Sequence, residues 1–133
     1  MAQVLIGNGA DLNKANDHKR TPLHYATLKG HENVAQLLIA NGTDLNVADE
    51  TGFTPLHSAA RNGHKEVSQL LIANGADPNV ADQNGTTPLL DAALNCHQEV
   101  AQLLIESGAD VDKADNHGTT PRQLLDQLQI HPV

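Results

Sequence analysis

Residues 54–79, TPLHSAARNGHKEVSQLLIANGADPN, decide the fold because the rest of the chain repeats them. The tetrapeptide TPLH at 54–57 also occurs at 21–24, and it returns as TPLL at 87–90 and TPRQ at 120–123. Each copy therefore begins 33 residues after the last, with no insertion. A strict period of this length predicts a solenoid, in which each unit packs only on its neighbours.

Within one period the residues predict a helix, a turn, a second helix and a loop. Thr54 is placed as an N-cap, and Pro55 suits the first helical position, where no N–H is needed. The first helix is predicted over 55–62, and Gly63 suits a left-handed turn after it. Apolar residues at helical spacing predict the second helix from about 64 to 74. Since helices this short are unstable alone, stacking must bury their apolar faces.

Composition and charge exclude several classes of protein. The 133 residues are 39% hydrophobic, with one Tyr, one Phe and no Trp, so the core must be built from small aliphatic side chains. Eight Lys and Arg against sixteen Asp and Glu give a net charge of -8, which argues against nucleic-acid binding. No apolar run is long enough to span a membrane. One cysteine permits no internal disulfide, and we expect a cytoplasmic or nuclear protein.

The repeated motifs T-P-L-H-x-A, G-H-x-E-V, L-L-I and G-A-D-x-N resemble the ankyrin repeat, and the resemblance covers essentially the whole chain. It implies an all-α solenoid of stacked helix-turn-helix units with projecting hairpin-like loops. It also implies a module that binds a protein or peptide partner on its concave face. Residues 1–133 then form one domain. Its parts are a partial repeat (1–15), full repeats (16–48, 49–81, 82–114) and a C-terminal partial or capping repeat (115–133).

The two partial repeats are complementary, because the first lacks a first helix and the last lacks a second. We therefore expect a fragment of a longer array. In dilute solution it should be a monomer, with weak head-to-tail stacking at high concentration.

The resemblance places partner contacts on the loop tips and on the exposed side of the first helices. Phe53 stands out as an aromatic residue at a tip beside Arg61, which is typical of a binding hot spot. The alternative is that its ring packs on the neighbouring loop. The residues that map to this surface are Asp17, His18, Arg20, Leu28, Lys29, Glu50, Thr51, Phe53, Arg61, Asn62, Gln83, Asn84, Thr86, Leu94, Asn95, Asn116, His117 and Thr119.

The residues with chemical potential favour structural roles. Eight histidines lack the spacing of a zinc site, and the resemblance implies that the T-P-L-H and G-H histidines hydrogen-bond between units. Cys96 occupies the place of the turn glycine Gly63, so we expect positive φ there and no catalytic role. The loop at 82–85 predicts an Asx turn rather than a calcium site. We expect no catalytic residues, no metal and no cofactor.

Asn46 and Asn13 lie in segments that resemble substrates of asparaginyl hydroxylases. The alternative is that each asparagine closes its loop by hydrogen bonds.

The leading function is a non-enzymatic protein-interaction scaffold. One alternative is a reader of an unmodified basic peptide or histone tail, because residues 67–133 carry nine acidic and two basic residues. Another is an engineered repeat scaffold, against which Cys96, Lys19 at a glycine position, and Leu90 in place of histidine all argue.

Overall fold

The computed structural model describes residues 14–126. Within them the fold is all-helical, as predicted, and contains no strand. Helices pair as α1 with α2, α3 with α4 and α5 with α6, and α7 begins the last unit. The helices are α1 (Pro22–Lys29), α2 (Glu32–Ala40), α3 (Pro55–Arg61), α4 (Lys65–Ala73), α5 (Pro88–Leu94), α6 (Gln98–Glu106) and α7 (Pro121–Leu125).

The local signals act as predicted. Thr54 caps α3, and its side chain accepts a hydrogen bond from the His57 backbone N–H at 3.4 Å. Gly63 follows with φ of 70°, so the chain turns directly into α4. The helices end one residue before the predicted bounds of 62 and 74, because Asn62 and Asn74 take the C-cap positions.

The apolar core lies between two layers of helices. First helices pack on the first helices of adjacent repeats, second helices pack on second helices, and the core fills the space between the layers. Leucines recur at the period of the chain and form two buried columns, and Ala59 and Ala60 let α3 approach its neighbours. The columns are Leu23, Leu56 and Leu89 in the first helices, and Leu38, Leu71 and Leu104 in the second.

Histidine at the third position of the first helix joins the first full repeat to the second and the second to the third, whereas the third repeat has Leu90 there. His57 is fully buried, and its Nδ1 accepts a hydrogen bond from the Thr54 backbone N–H at 3.1 Å. This fixes the tautomer, so Nε2 donates to the Thr86 carbonyl of the following repeat at 2.8 Å. Burial lowers the pKa of His57 more than this hydrogen bond raises it. His24 makes the equivalent bridge to the Phe53 carbonyl.

A second set of histidines bridges in the opposite direction along the stack. His64 lies just before α4, and its Nε2 contacts the Leu28 carbonyl of the preceding repeat at 3.0 Å. His97 contacts the Arg61 carbonyl in the same way at 2.9 Å. The predicted structural role of these four histidines is therefore confirmed.

The loop tips are joined by one backbone hydrogen bond at each interface. Gln83 N–H donates to the Thr51 carbonyl at 2.8 Å, and the Glu50 and Asn116 amides donate equivalently to His18 and Asn84. A side-chain oxygen holds the turn within each loop, from Asn16 in the first loop and from an aspartate in the other three. In the third loop Asp82 Oδ1 accepts from the Asn84 and Thr86 amides at 2.8 and 3.0 Å. The predicted Asx turn at 82–85 is confirmed.

Asn46 closes its loop and connects it to the next. Its Oδ1 accepts from the Asp77 amide at 2.8 Å, and its Nδ2 donates to the Gly75 carbonyl at 3.3 Å. The hydrogen-bonding interpretation is therefore confirmed for Asn46. Asn13 lies outside the described residues.

The expectations about the chain ends fall mostly outside residues 14–126. This holds for the first partial repeat up to Asn13 and for the end of the C-terminal partial repeat after residue 126. Head-to-tail stacking stays a prediction. In the described part of the chain, no helix is long and apolar enough to cross a membrane.

The histidine bridge predicts a specific loss of stability. We expect His57→Leu to lower the free energy of unfolding by about 1–3 kcal/mol, because the Thr54 amide loses its partner in a buried site. Urea denaturation measures this loss. His117→Leu, at an exposed loop tip, is the control and should change stability by under about 0.5 kcal/mol. An equal effect of both substitutions would contradict the assigned role of the bridge.

The turn at Cys96 provides a second prediction. Cys96 has φ of 61°, as expected for a residue in the glycine position. We expect Cys96→Gly to raise the free energy of unfolding by up to about 1 kcal/mol.

Gly63 is the matched position for the opposite change. A Cβ there would lie 2.5 Å from the His97 ring, so Gly63→Ala should destabilise the protein in the same urea titration. Cys96 has no equivalent histidine in the next repeat, because the residue one period after His97 in the sequence is Ile130. If Cys96→Gly destabilises the fold, the thiol makes contacts that outweigh the strain.

Candidate interaction surface

The loop tips and the first helices of adjacent repeats line one groove of about 460 Å³. It includes predicted surface residues of all three full repeats. The side chains that line it are Arg20, His24, Tyr25, Leu28, Asp49, Thr51, Phe53, Ser58, Arg61, Asn62, Asp82, Gln83 and Asn84.

Three large apolar side chains are exposed on the first helices. Tyr25 and Leu28 on α1 are 44% and 43% exposed, and Leu94 on α5 is 51% exposed. Tyr25 and Leu28 are three residues apart, so they share one face of the helix, and both line the groove. Tyr25 is not among the surface residues predicted from the sequence, which therefore missed its place on the apolar wall of the groove.

Phe53 is half-buried rather than a free tip side chain. Its ring centroid lies 5.0 Å from that of His57, and the Arg61 guanidinium carbon lies 4.4 Å above the ring. These contacts are with α3 of its own repeat, not with the neighbouring loop, and the role of Phe53 in binding stays a prediction. The ring still lines the groove, together with the cation that it supports.

Two arginines cross from one repeat to a carboxylate in the next. Arg20 Nε lies 3.3 Å from Asp49 Oδ2, and Arg61 Nη2 lies 3.1 Å from Asp91 Oδ1. Both carboxylates are buried and both arginines are about half exposed. Each pair spans the repeat interface, so the stack positions the guanidinium groups on this surface.

The pKa values of the two carboxylates are shifted in opposite directions. Burial would raise the pKa of Asp49, but hydrogen bonds from Thr51, Phe53 and Arg20 together lower it. For Asp91, burial raises the pKa to about 6, since Arg61 offsets only part of the desolvation. Asp91 Oδ2 is buried without a hydrogen-bond partner in the described structure. The fold thus disfavours the ionised form of Asp91, which is the form expected at neutral pH.

The remaining predicted surface residues lie outside the groove. Thr86 is only 8% exposed, so its prediction as a contact residue is wrong. It is buried because it follows the Asx turn of its own loop and receives the His57 bridge. Thr119 is half-buried. The exposed positions outside the groove are Asp17, His18, Lys29, Glu50, Leu94, Asn95, Asn116 and His117.

Cys96 is exposed, and its neighbour His97 has Nε2 engaged by the Arg61 carbonyl. Among residues 14–126, no three His, Cys, Asp or Glu side chains are grouped as a metal site requires.

Comparison with known proteins assigns a family. The family model described as ankyrin repeats, in three copies, matches residues 1–82 and 48–115. No curated protein matches the chain.

Asp91 predicts a pH dependence. Its folded pKa of about 6 exceeds the ordinary 3.8, so between these values the native state binds the proton more tightly than the unfolded state. Its contribution to the free energy of unfolding therefore falls as the pH rises through this window. Asp91→Ser, which installs the Ser58 equivalent, should gain on the order of 2 kcal/mol relative to the parent protein between pH 4 and pH 7.

Urea titrations of both proteins at each pH measure this difference, in which the contributions of His24 and His57 cancel. Asp112→Ser is the control: Arg122 lowers the pKa of Asp112 from the ordinary 3.8, so its pH dependence lies below this value and its stability difference should stay nearly flat from pH 4 to pH 7. A stability difference for Asp91→Ser that stays flat from pH 4 to pH 7 would contradict the assigned burial of the charge.

Proposed function

Because the chain belongs to the ankyrin repeat family, we propose that it binds a partner protein on the surface formed by its first helices and loop tips. Repeats of this family are generally protein–protein interaction modules. The observation that carries the proposal for this chain is the groove, in which exposed Tyr25 and Leu28 stand beside Phe53 and Arg61.

The exposed apolar side chains support this surface as the binding face. Leu and Tyr side chains gain free energy when a partner removes them from water. Tyr and Arg are also the residue types most enriched among binding hot spots. Leu94 adds a further exposed apolar side chain, on α5. It occupies the same position in its repeat as Leu28 and Arg61 do in theirs.

The rigidity of the groove also supports the proposal. Phe53 rests on His57, Arg61 is held between Phe53 and Asp91, and the tips are joined by the Gln83 to Thr51 hydrogen bond. Side chains held in place before binding lose less conformational entropy when a partner arrives. A partner would therefore meet a preformed surface.

We propose that the remaining exposed positions form the rim of this surface, to which the buried Thr86 does not belong. The proposed function is non-enzymatic, and we propose a monomer in dilute solution with weak head-to-tail stacking. We also propose a cytoplasmic or nuclear location and the division of the chain into partial and full repeats.

The alternative of a basic-peptide reader rested on the acidity of residues 67–133. In the structure several of those acids have local partners: Asp112 pairs with Arg122, and Glu99 pairs with Lys65. General acidity of this half is therefore a weaker argument than a carboxylate placed in the groove.

Substitution in the groove tests the proposed function. A partner captured from the source-cell lysate and identified by mass spectrometry should bind Leu28→Glu at least about tenfold more weakly than the parent protein. The substitution puts a charge where the partner would bury an apolar side chain. Phe53→Ala should weaken binding by more than about 1 kcal/mol and also lower stability, since its ring supports His57 and Arg61. Calorimetry measures the affinities.

The control is Gln69→Glu, an exposed position on α4 outside the groove, which should bind as the parent protein does. If the affinity falls for Gln69→Glu and not for Leu28→Glu, the partner binds the other side of the stack and the proposal is wrong.

A further inference from the structure

Successive interfaces of the stack can be compared position by position, because the repeat has no insertion. At the first interface the Asx-turn carboxylate Asp49 uses Oδ1 for the turn, accepting from the Thr51 and Phe53 amides at 2.8 and 3.0 Å. Its Oδ2 accepts from Arg20 Nε at 3.3 Å. One carboxylate thus performs two tasks: it shapes the loop and it receives a cation.

At the second interface the turn is the same but the cation is missing. Asp82 Oδ1 accepts from the Asn84 and Thr86 amides at 2.8 and 3.0 Å. The residue in the register of Arg20 is Phe53, which cannot pair with a carboxylate. Asp82 has no ion-pair partner in the described part of the chain.

The nearby arginine does not fill this role. Arg61 lines the same groove, but its Nε and Nη2 both donate to Asp91 Oδ1, at 3.2 and 3.1 Å. Asp91 is 2% exposed, and its second oxygen has no partner. The negative charge of Asp82 also raises the pKa of Asp91, so the two carboxylates repel each other. One arginine therefore faces two carboxylates, and this part of the groove has an excess of negative charge.

We propose that Asp82 receives a lysine or arginine side chain of the bound partner, which takes the place that Arg20 holds beside Asp49. The proposal rests on the proposed function and names the chemistry of the partner at the same groove. The occupant is a basic segment of a protein, in which an apolar residue two positions from the cation contacts Tyr25 and Leu28.

Position along the stack distinguishes Asp82 from its equivalents. Asp49 is already paired, and Asp115 holds the same turn, accepting from the His117 and Thr119 amides. Asp115 does not line the groove, whereas Asp82 does. Among the three turn aspartates, Asp82 therefore combines an unpaired carboxylate with apolar walls.

The test uses two synthetic peptides as probes, acetyl-Leu-Gly-Arg-Gly-Leu-amide and the same peptide with Glu in place of Arg. Binding is followed by NMR through the backbone amides of Asn84 and Thr86, which donate to Asp82. The variant Asp82→Asn keeps an oxygen for the turn and removes the charge. Asp115→Asn makes the same change in the equivalent turn and is the matched control, so it corrects for the change in net charge.

We expect the arginine peptide to shift the Asn84 and Thr86 amides in the parent protein and in Asp115→Asn. Its affinity for Asp82→Asn should be on the order of tenfold weaker, as expected for the loss of a charge-assisted hydrogen bond. The glutamate peptide should bind the parent protein more weakly than the arginine peptide does.

Two other results would overturn the assignment of Asp82. They are equal weakening by both variants, or no shift at millimolar concentrations of the arginine peptide. Neither would affect the proposed function, because a partner captured in the pull-down would still be sensitive to Leu28→Glu. Shifts confined to α2, α4 and α6 would instead overturn both proposals, since they would place binding on the other layer.

Discussion

The hydrogen bonds that cross from one repeat to the next are the interactions on which this structure depends. Each repeat has two helices of seven to nine residues, which are too short to be stable alone. Burial of the leucine columns stabilises the stack, but a column of leucines does not by itself fix the register between units. The histidine bridges and the tip amides do so, because each has a single acceptor in the neighbouring repeat. His57 to Thr86 and Gln83 to Thr51 are the clearest examples.

The proposed function arises where the repeat is broken. The scaffold positions, such as Thr54 and Leu56, keep the pattern, whereas the groove gathers departures from it. Phe53 stands where the previous repeat has Arg20, and Tyr25 stands where the next has Ser58. The first departure leaves Asp82 without an arginine, and the second leaves an aromatic side chain exposed. A regular array provides the geometry, and the irregular positions provide the chemistry of recognition.

Much of the fold is predictable from the sequence, because its signals are local. The Thr54 cap, the turn at Gly63 and the positive φ at Cys96 depend on a few adjacent residues. The surface is less predictable, because its contacts join residues about one period apart. The pairing of Arg61 with Asp91 links positions 30 residues apart, and the burial of Thr86 results from a histidine in the preceding repeat. Both follow from the period once an interface is known, but composition and local pattern do not show them.

The central claim is that the loop tips are fixed to one another and present a rigid surface. Amide hydrogen exchange at Gln83 tests it most directly, because this residue is exposed and its N–H donates to the Thr51 carbonyl across an interface. The account predicts that the Gln83 amide exchanges orders of magnitude more slowly than in an unstructured peptide of the same sequence, and that Glu50 and Asn116 behave alike. Exchange of Gln83 at the free-peptide rate, while the amides of α3 stay protected, would contradict it.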